Sequence, residues 1–139
     1  MTIANHNDML NALVASLSAA LPTRHVQRSL IDPASIKADK LQAGVLCVVS
    51  QSGGKFAQYV GRLGELGTLK VALVGFVSVP EKSEPADIER AELALLEQLL
   101  EWAGSAVPGV NAVYLMDWTQ SQQLEHPFGW LVLNLEVRT

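Results

Sequence analysis

Hydrophobic and polar positions alternate along this chain with two periods, and the changes between them divide it into elements. Leu10, Leu13, Val14, Leu17 and Leu21 recur at intervals of three and four, which places them on one stripe of an amphipathic helix. Asn5 or Asn7 caps that helix, Asp8 suits its first turn, and Pro22 stops it. From 24 to 31 Arg24, Val26 and Arg28 alternate with His25, Gln27 and Ser29, a short edge strand with neither face well buried. Asp32 and Pro33 mark a turn, and the polar stretch 34–40 reads as a loop or a helical turn.

Val45 to Val49 is a β-branched run typical of a buried strand. The stretch Gln51-Ser52-Gly53-Gly54-Lys55 predicts a turn, with a return strand over Phe56–Leu63 and a further turn between Gly64 and Gly67. Residues 68–79, apolar on both faces, predict a central strand, in which Gly75 marks a bulge or a close packing contact. Pro80 ends it. Ser83-Glu84-Pro85 opens a second helix, with Ile88, Ala91, Leu95, Leu99 and Trp102 on one stripe. Leu93, Leu96 and Leu100 widen the apolar arc, Glu97 and Glu101 face water, and Gly104 terminates the helix. Val110–Met116 predicts a strand, residues 117–128 a loop, and Trp130–Val137 a last strand of clean alternation. The short connections favour antiparallel neighbours. The expected fold is α+β: one domain over 1–139, with a single mostly antiparallel sheet and two helices packed on one face. No repeat, linker or low-complexity segment interrupts it.

Composition narrows the classes. In 139 residues, 49% are hydrophobic and 17% charged, and the mean hydropathy is +0.21, which excludes wholesale disorder. Ten basic against 14 acidic residues give a net charge of −4, little support for nucleic-acid binding driven by clustered positive charge. A single cysteine, Cys47, excludes a disulfide scaffold and fits a reducing compartment. Met1–His6 lacks the basic start of a secretory signal, and no apolar run reaches the ~20 residues of a membrane span. The expected location is the cytoplasm.

Motifs for chemistry are lacking. Ser52-Gly53-Gly54-Lys55 resembles a phosphate loop, but Val49 stands where its first glycine belongs and Phe56 where its hydroxyl belongs. Gly61, Gly64 and Gly67 lie between strands, not between strand and helix as a dinucleotide fingerprint requires. His6, His25 and His126 share no metal-ligand spacing with one another or with Cys47. Cys47 sits inside an apolar strand, where a thiol behaves as a small hydrophobe. Asp117, Glu125 and His126 share one predicted loop, the sole grouping with acid/base potential, and solvated loop side chains are the plainer reading. The sequence therefore predicts no catalytic residue, no cofactor and no metal.

Interaction residues are the remaining candidates. Trp118, Phe128 and Trp130 flank the 117–128 loop, with Trp130 on the face of its strand away from Leu131 and Leu133. Large aromatics so placed mark a partner surface or close the end of a core. Arg24, Arg28 and Arg62, with Lys55, fall on or beside strands, where they line a shared surface or guard strand edges against aggregation.

The order of elements, the strong strand TLKVALVGFVSV, the helix SEPADIERAELALLEQLLEWAG and the closing GWLVLNLEVRT resemble the tail terminator (tail completion) proteins of tailed bacteriophages, both lambda-type and those of Mu-like prophages. The resemblance spans about Asn5 to Thr139 and rests on element order and hydrophobic pattern. It implies a structural protein without catalysis or cofactor. Such a protein assembles with itself as a ring, usually of six subunits, on the end of the tail tube. The implied partners are the tube protein and a head-neck or connector protein. The implied location is the bacterial host cytoplasm during assembly, then the virion tail. It transfers no individual functional residue. A small acidic dimeric secretion chaperone is similar in size, charge and element order, and a small ligand-binding or enzymatic α+β domain is the third class.

Overall fold

The computed structural model describes residues 5–56, 67–105, 107, 110 and 112–138. The chain runs α1 (His6–Ala20), β1 (His25–Arg28), a 3₁₀ turn (Pro33–Ser35), α2 (Ala38–Ala43), β2 (Val45–Gly54), β3 (Thr68–Ser78), α3 (Pro85–Ala103), β4 (Ala112–Gln120) and β5 (Phe128–Arg138). The five strands form one sheet in the order β1-β2-β3-β5-β4. β1 and β2 are parallel, and every other neighbouring pair is antiparallel. The α+β expectation holds.

Local chemistry sets the helix ends. The Asn5 side chain accepts from Asp8 N at 2.8 Å, so Asn5 rather than Asn7 caps α1. At α3 the cap is Glu84, in a reciprocal capping box with Asp87, and Pro85 opens the first turn. Met9, Leu10, Leu13 and Leu17 of α1 and Ile88, Leu95, Leu96, Leu99 and Trp102 of α3 are buried in one core cluster with Leu46, Val48, Leu73, Leu131, Leu133 and Leu135. Trp102 Nε1 donates to Ser16 Oγ at 2.9 Å, which ties α3 to α1 and satisfies the indole N–H at the edge of the core.

Both long helices thus cover one face of the sheet, as expected. The polar stretch after β1 adds a third helix, α2, which serves the opposite face as part of the parallel crossover from β1 to β2. The Ile31 backbone reaches the Cys47 thiol, and Leu41 of α2 packs near Phe76 and Trp130. Val45 and Cys47 are buried beneath this crossover.

Two boundaries differ from the sequence reading. The turn expected at Gln51–Lys55 is strand as far as Gly54, which pairs with Thr68 across a bulge between Ser50 and Ser52. A Cβ on Gly53 would stand 2.5 Å from Thr68 O, so this glycine serves a close backbone approach. The return strand expected at Phe56–Leu63 lies outside the described residues apart from Phe56, which is exposed and not in a strand. The loop expected from 117 begins at Ser121, because Asp117–Gln120 continue β4 beside Leu131–Asn134. An extra residue, Met116, shifts the register there and breaks the alternation that would have marked the strand. Gly75 is no bulge: it pairs in register with Leu46 and Leu131, and a Cβ there would meet Leu95 of α3.

Candidate functional site

Cross-strand pairs share a face, so register decides where each aromatic candidate goes. Trp118 pairs with Leu133 and belongs to the face that carries α3. Phe128 pairs with Ser78 and Trp130 with Phe76, on the opposite face. The three aromatics therefore do not form one cluster. Trp118 is 50% exposed and Phe128 49%, whereas Trp130 is half-buried. Phe128 borders a groove of about 460 Å³ whose other walls are Pro33, Ile36 and Leu41, with Asp32 and Glu125 also lining it.

Arg24 and Arg28 make contacts within the fold. Arg24 Nε donates to Gln98 Oε1 at 2.7 Å and its Nη1 to Ala43 O at 3.2 Å, joining the start of β1 to α3 and to the end of α2. Burial lowers the pKa of this guanidinium from its ordinary value. Arg28 reaches from β1 to α1, with Nη1 on Asn11 Oδ1 at 3.2 Å and Nη2 on Asn7 Oδ1 at 2.9 Å. Arg62 lies outside the described residues.

The acid/base grouping is taken apart. Asp117 stands on β4, where it accepts from Asn134 Nδ2 at 2.6 Å, while Glu125 and His126 belong to the β4–β5 connection. No group of three metal-ligating side chains occurs among the described residues. Burial pushes the Cys47 thiol pKa up, against a smaller downward pull from the Ile31 backbone, so it is held in the unreactive protonated form.

Sequence reasoning missed Glu92, a 1% exposed carboxylate in the middle of α3. Its Oε2 accepts from Trp130 N at 3.0 Å and from Ser121 Oγ, and its Oε1 accepts from Gln120 Nε2 at 3.3 Å. One side chain thus fastens both ends of the β4–β5 connection to the helix. The signal was present in the spacing: Glu92 lies four residues after Ile88 and three before Leu95, so a lone carboxylate interrupts the apolar stripe. Only the tertiary contacts show that it is a latch.

At the other end of β5, Glu136 accepts from Lys55 Nζ at 2.8 Å, and Arg138 Nη2 lies 3.7 Å from the same oxygen. The hydrogen bond from Lys55 is the first cause of a lowered Glu136 pKa, opposed by desolvation and aided by the charges of Lys55, Arg138 and Lys70. Arg138 also stacks over the Tyr114 ring, 4.4 Å from its centroid.

Among the described residues, the outer edge of the sheet is left open. β4 has nine residues, and Tyr114 through Thr119 are all exposed. Tyr114, Leu115, Met116 and Trp118 are between 41% and 56% accessible. The opposite edge, β1, has four residues and is flanked by α1, to which Arg28 ties it. The chain matches no protein-family model and no curated protein sequence.

Proposed function

We propose that this chain is a structural subunit of a phage tail, a terminator that caps the tail tube as a ring and offers the surface to which the head joins. The observation that carries the reading is the long apolar edge strand β4 on a domain whose core is otherwise closed by α1, α3 and the α2 crossover. Exposed aromatic and apolar positions of this kind are what assembly surfaces use. The resemblance in element order supplies the specific role. The partners are further copies of the chain, the tube protein and a head-neck or connector protein. The setting is the host cytoplasm and then the virion tail. Among the described residues no helix is long and apolar enough to cross a membrane.

The test is to add the purified chain to polymerising tube protein and measure tube length by electron microscopy. Tubes are expected to stop short and to carry a ring at one end, with a mass near 90 kDa if six copies of 15.0 kDa close it. Trp118→Ala and Phe128→Ala are expected to weaken capping while leaving the subunit folded. Unchanged tube growth overturns the reading. A chaperone would leave tubes unaffected and remain dimeric at every dilution.

A further inference from the structure

We infer that the edge of β4 is an interface for a second copy of this chain, joined by antiparallel two-fold pairing of β4 with itself. The inference rests on the backbone register of β4. It draws on the same exposed edge as the ring reading, but it is tested by dimer mass and cross-linking, whereas the ring reading is tested by tube length.

Bonded and non-bonded pairs alternate along an antiparallel ladder. Ser121 N donates to Trp130 O at 3.2 Å, so the pair next to it, Gln120 with Leu131, is of the non-bonded kind. Alternation then turns the backbone N–H and C=O groups of Gln120 and Trp118 away from β5. The register shift at Met116 changes the phase, and beyond it the outward groups belong to Leu115 and Val113. The open edge therefore offers its hydrogen bonds at Val113, Leu115, Trp118 and Gln120, with a step of three residues between Leu115 and Trp118 where a regular strand has two.

That irregularity selects the partner. A regular strand in register with Val113 and Leu115 loses register at Trp118. A second β4 running antiparallel carries the same irregularity at the same place. Val113 then faces Gln120 of the second copy, and Leu115 faces its Trp118, each pair occurring twice about the axis. All four outward residues are used, and cross-strand neighbours stay on matching faces. A shift of two residues that sets Val113 opposite Trp118 leaves Gln120 and Leu115 without such partners.

The side chains agree. Leu115 and Trp118 are both exposed in the single chain and become an apolar cross-strand pair. Asp117, the one charge on β4, is held by Asn134 of its own sheet and faces Met116 rather than another carboxylate. β4 has no lysine and no proline, the residues by which exposed edges usually discourage pairing.

The experiment is sedimentation of the purified chain over a wide concentration range, with two variants. The wild type is expected to pass reversibly from 15 kDa to about 30 kDa, twice the 15.0 kDa chain. Leu115→Glu sets a carboxylate against the negative face of the Trp118 ring of the second copy and is expected to weaken dimerisation at least tenfold while the far-UV spectrum is unchanged. Tyr114→Cys with Thr119→Cys places facing thiols in a non-bonded pair of the new ladder, at about 4.5 Å between Cα atoms. Within one chain these positions are roughly 16 Å apart along the strand, so oxidation is expected to give a reducible covalent dimer and no internal bridge. A monomer at all concentrations overturns the inference. So does a dimer that Leu115→Glu leaves intact, or a dimer in which the double-cysteine variant does not cross-link.

Discussion

Two carboxylates on opposite sides of the sheet show how much a single residue's surroundings decide. Glu92 is enclosed and accepts from a backbone amide, a hydroxyl and a side-chain amide. Replacing it with leucine strands the Trp130 N–H, and an unsatisfied buried donor costs roughly 1–3 kcal/mol. Glu92→Gln is expected to cost less, because one amide oxygen still serves Trp130 and Ser121 while Gln120 turns its own oxygen toward the new NH₂. Urea midpoints at unchanged m-value check both. Glu136 instead works through charge, with its carboxyl pKa held down by Lys55. Its contribution is full above the ordinary carboxylate range near ~4.3. It is lost as pH falls through the lowered folded value, because the unfolded chain takes up the proton first. Glu136→Gln is accordingly expected to be less stable than wild type at neutral pH, with the two converging in acid. Melting curves at a series of pH values measure that convergence.

At the scale of elements, β3 depends on a missing side chain. Gly75 sits between Leu46 and Leu131 at the point where Leu95 of α3 descends on the sheet. Gly75→Ala is expected to destabilise by about 1–3 kcal/mol through overpacking. Leu95→Ala alone leaves a cavity and costs roughly 2–5 kcal/mol. The double variant should cost less than the two together, since the smaller side chain makes room for the new methyl. A double-mutant cycle by denaturant unfolding measures the coupling. Helix α1 and strand β5 were legible from the sequence because each keeps one hydrophobic period from end to end, and strand β3 because its apolar run is bounded by Gly67 and Pro80. The second half of β4 was not. Met116 breaks its alternation, and an exposed edge strand has little buried surface to enforce a pattern.

For the molecule as a whole, the question is which apolar surface is left once α1 and α3 cover one face and the crossover covers part of the other. Trp118 and Phe128 are about half accessible, lie outside the buried core cluster and stand on opposite faces. Alanine at either is expected to leave the melting temperature within a few degrees of wild type, as surface changes usually do. Loss of tube capping by these variants would then report the surface and not the fold. The large aromatics were thus visible in the sequence, but their grouping was not. Trp118 and Trp130 flank one connection in sequence, yet strand register sends them to opposite sides.

The sequence by itself determined the α+β class, the places where α1 and α3 begin, the central place of β3 and the absence of familiar catalytic motifs. These follow from periodicity and local hydrogen bonding, which act over a few residues. The tertiary structure alone decided the parallel β1–β2 pair and the covering of Cys47 by the crossover. It also made Glu92 a latch and gave β4 its outward hydrogen-bonding pattern. Each of these joins residues distant in the chain, and a buried polar contact or a shifted register leaves no period along a single strand or helix to reveal it.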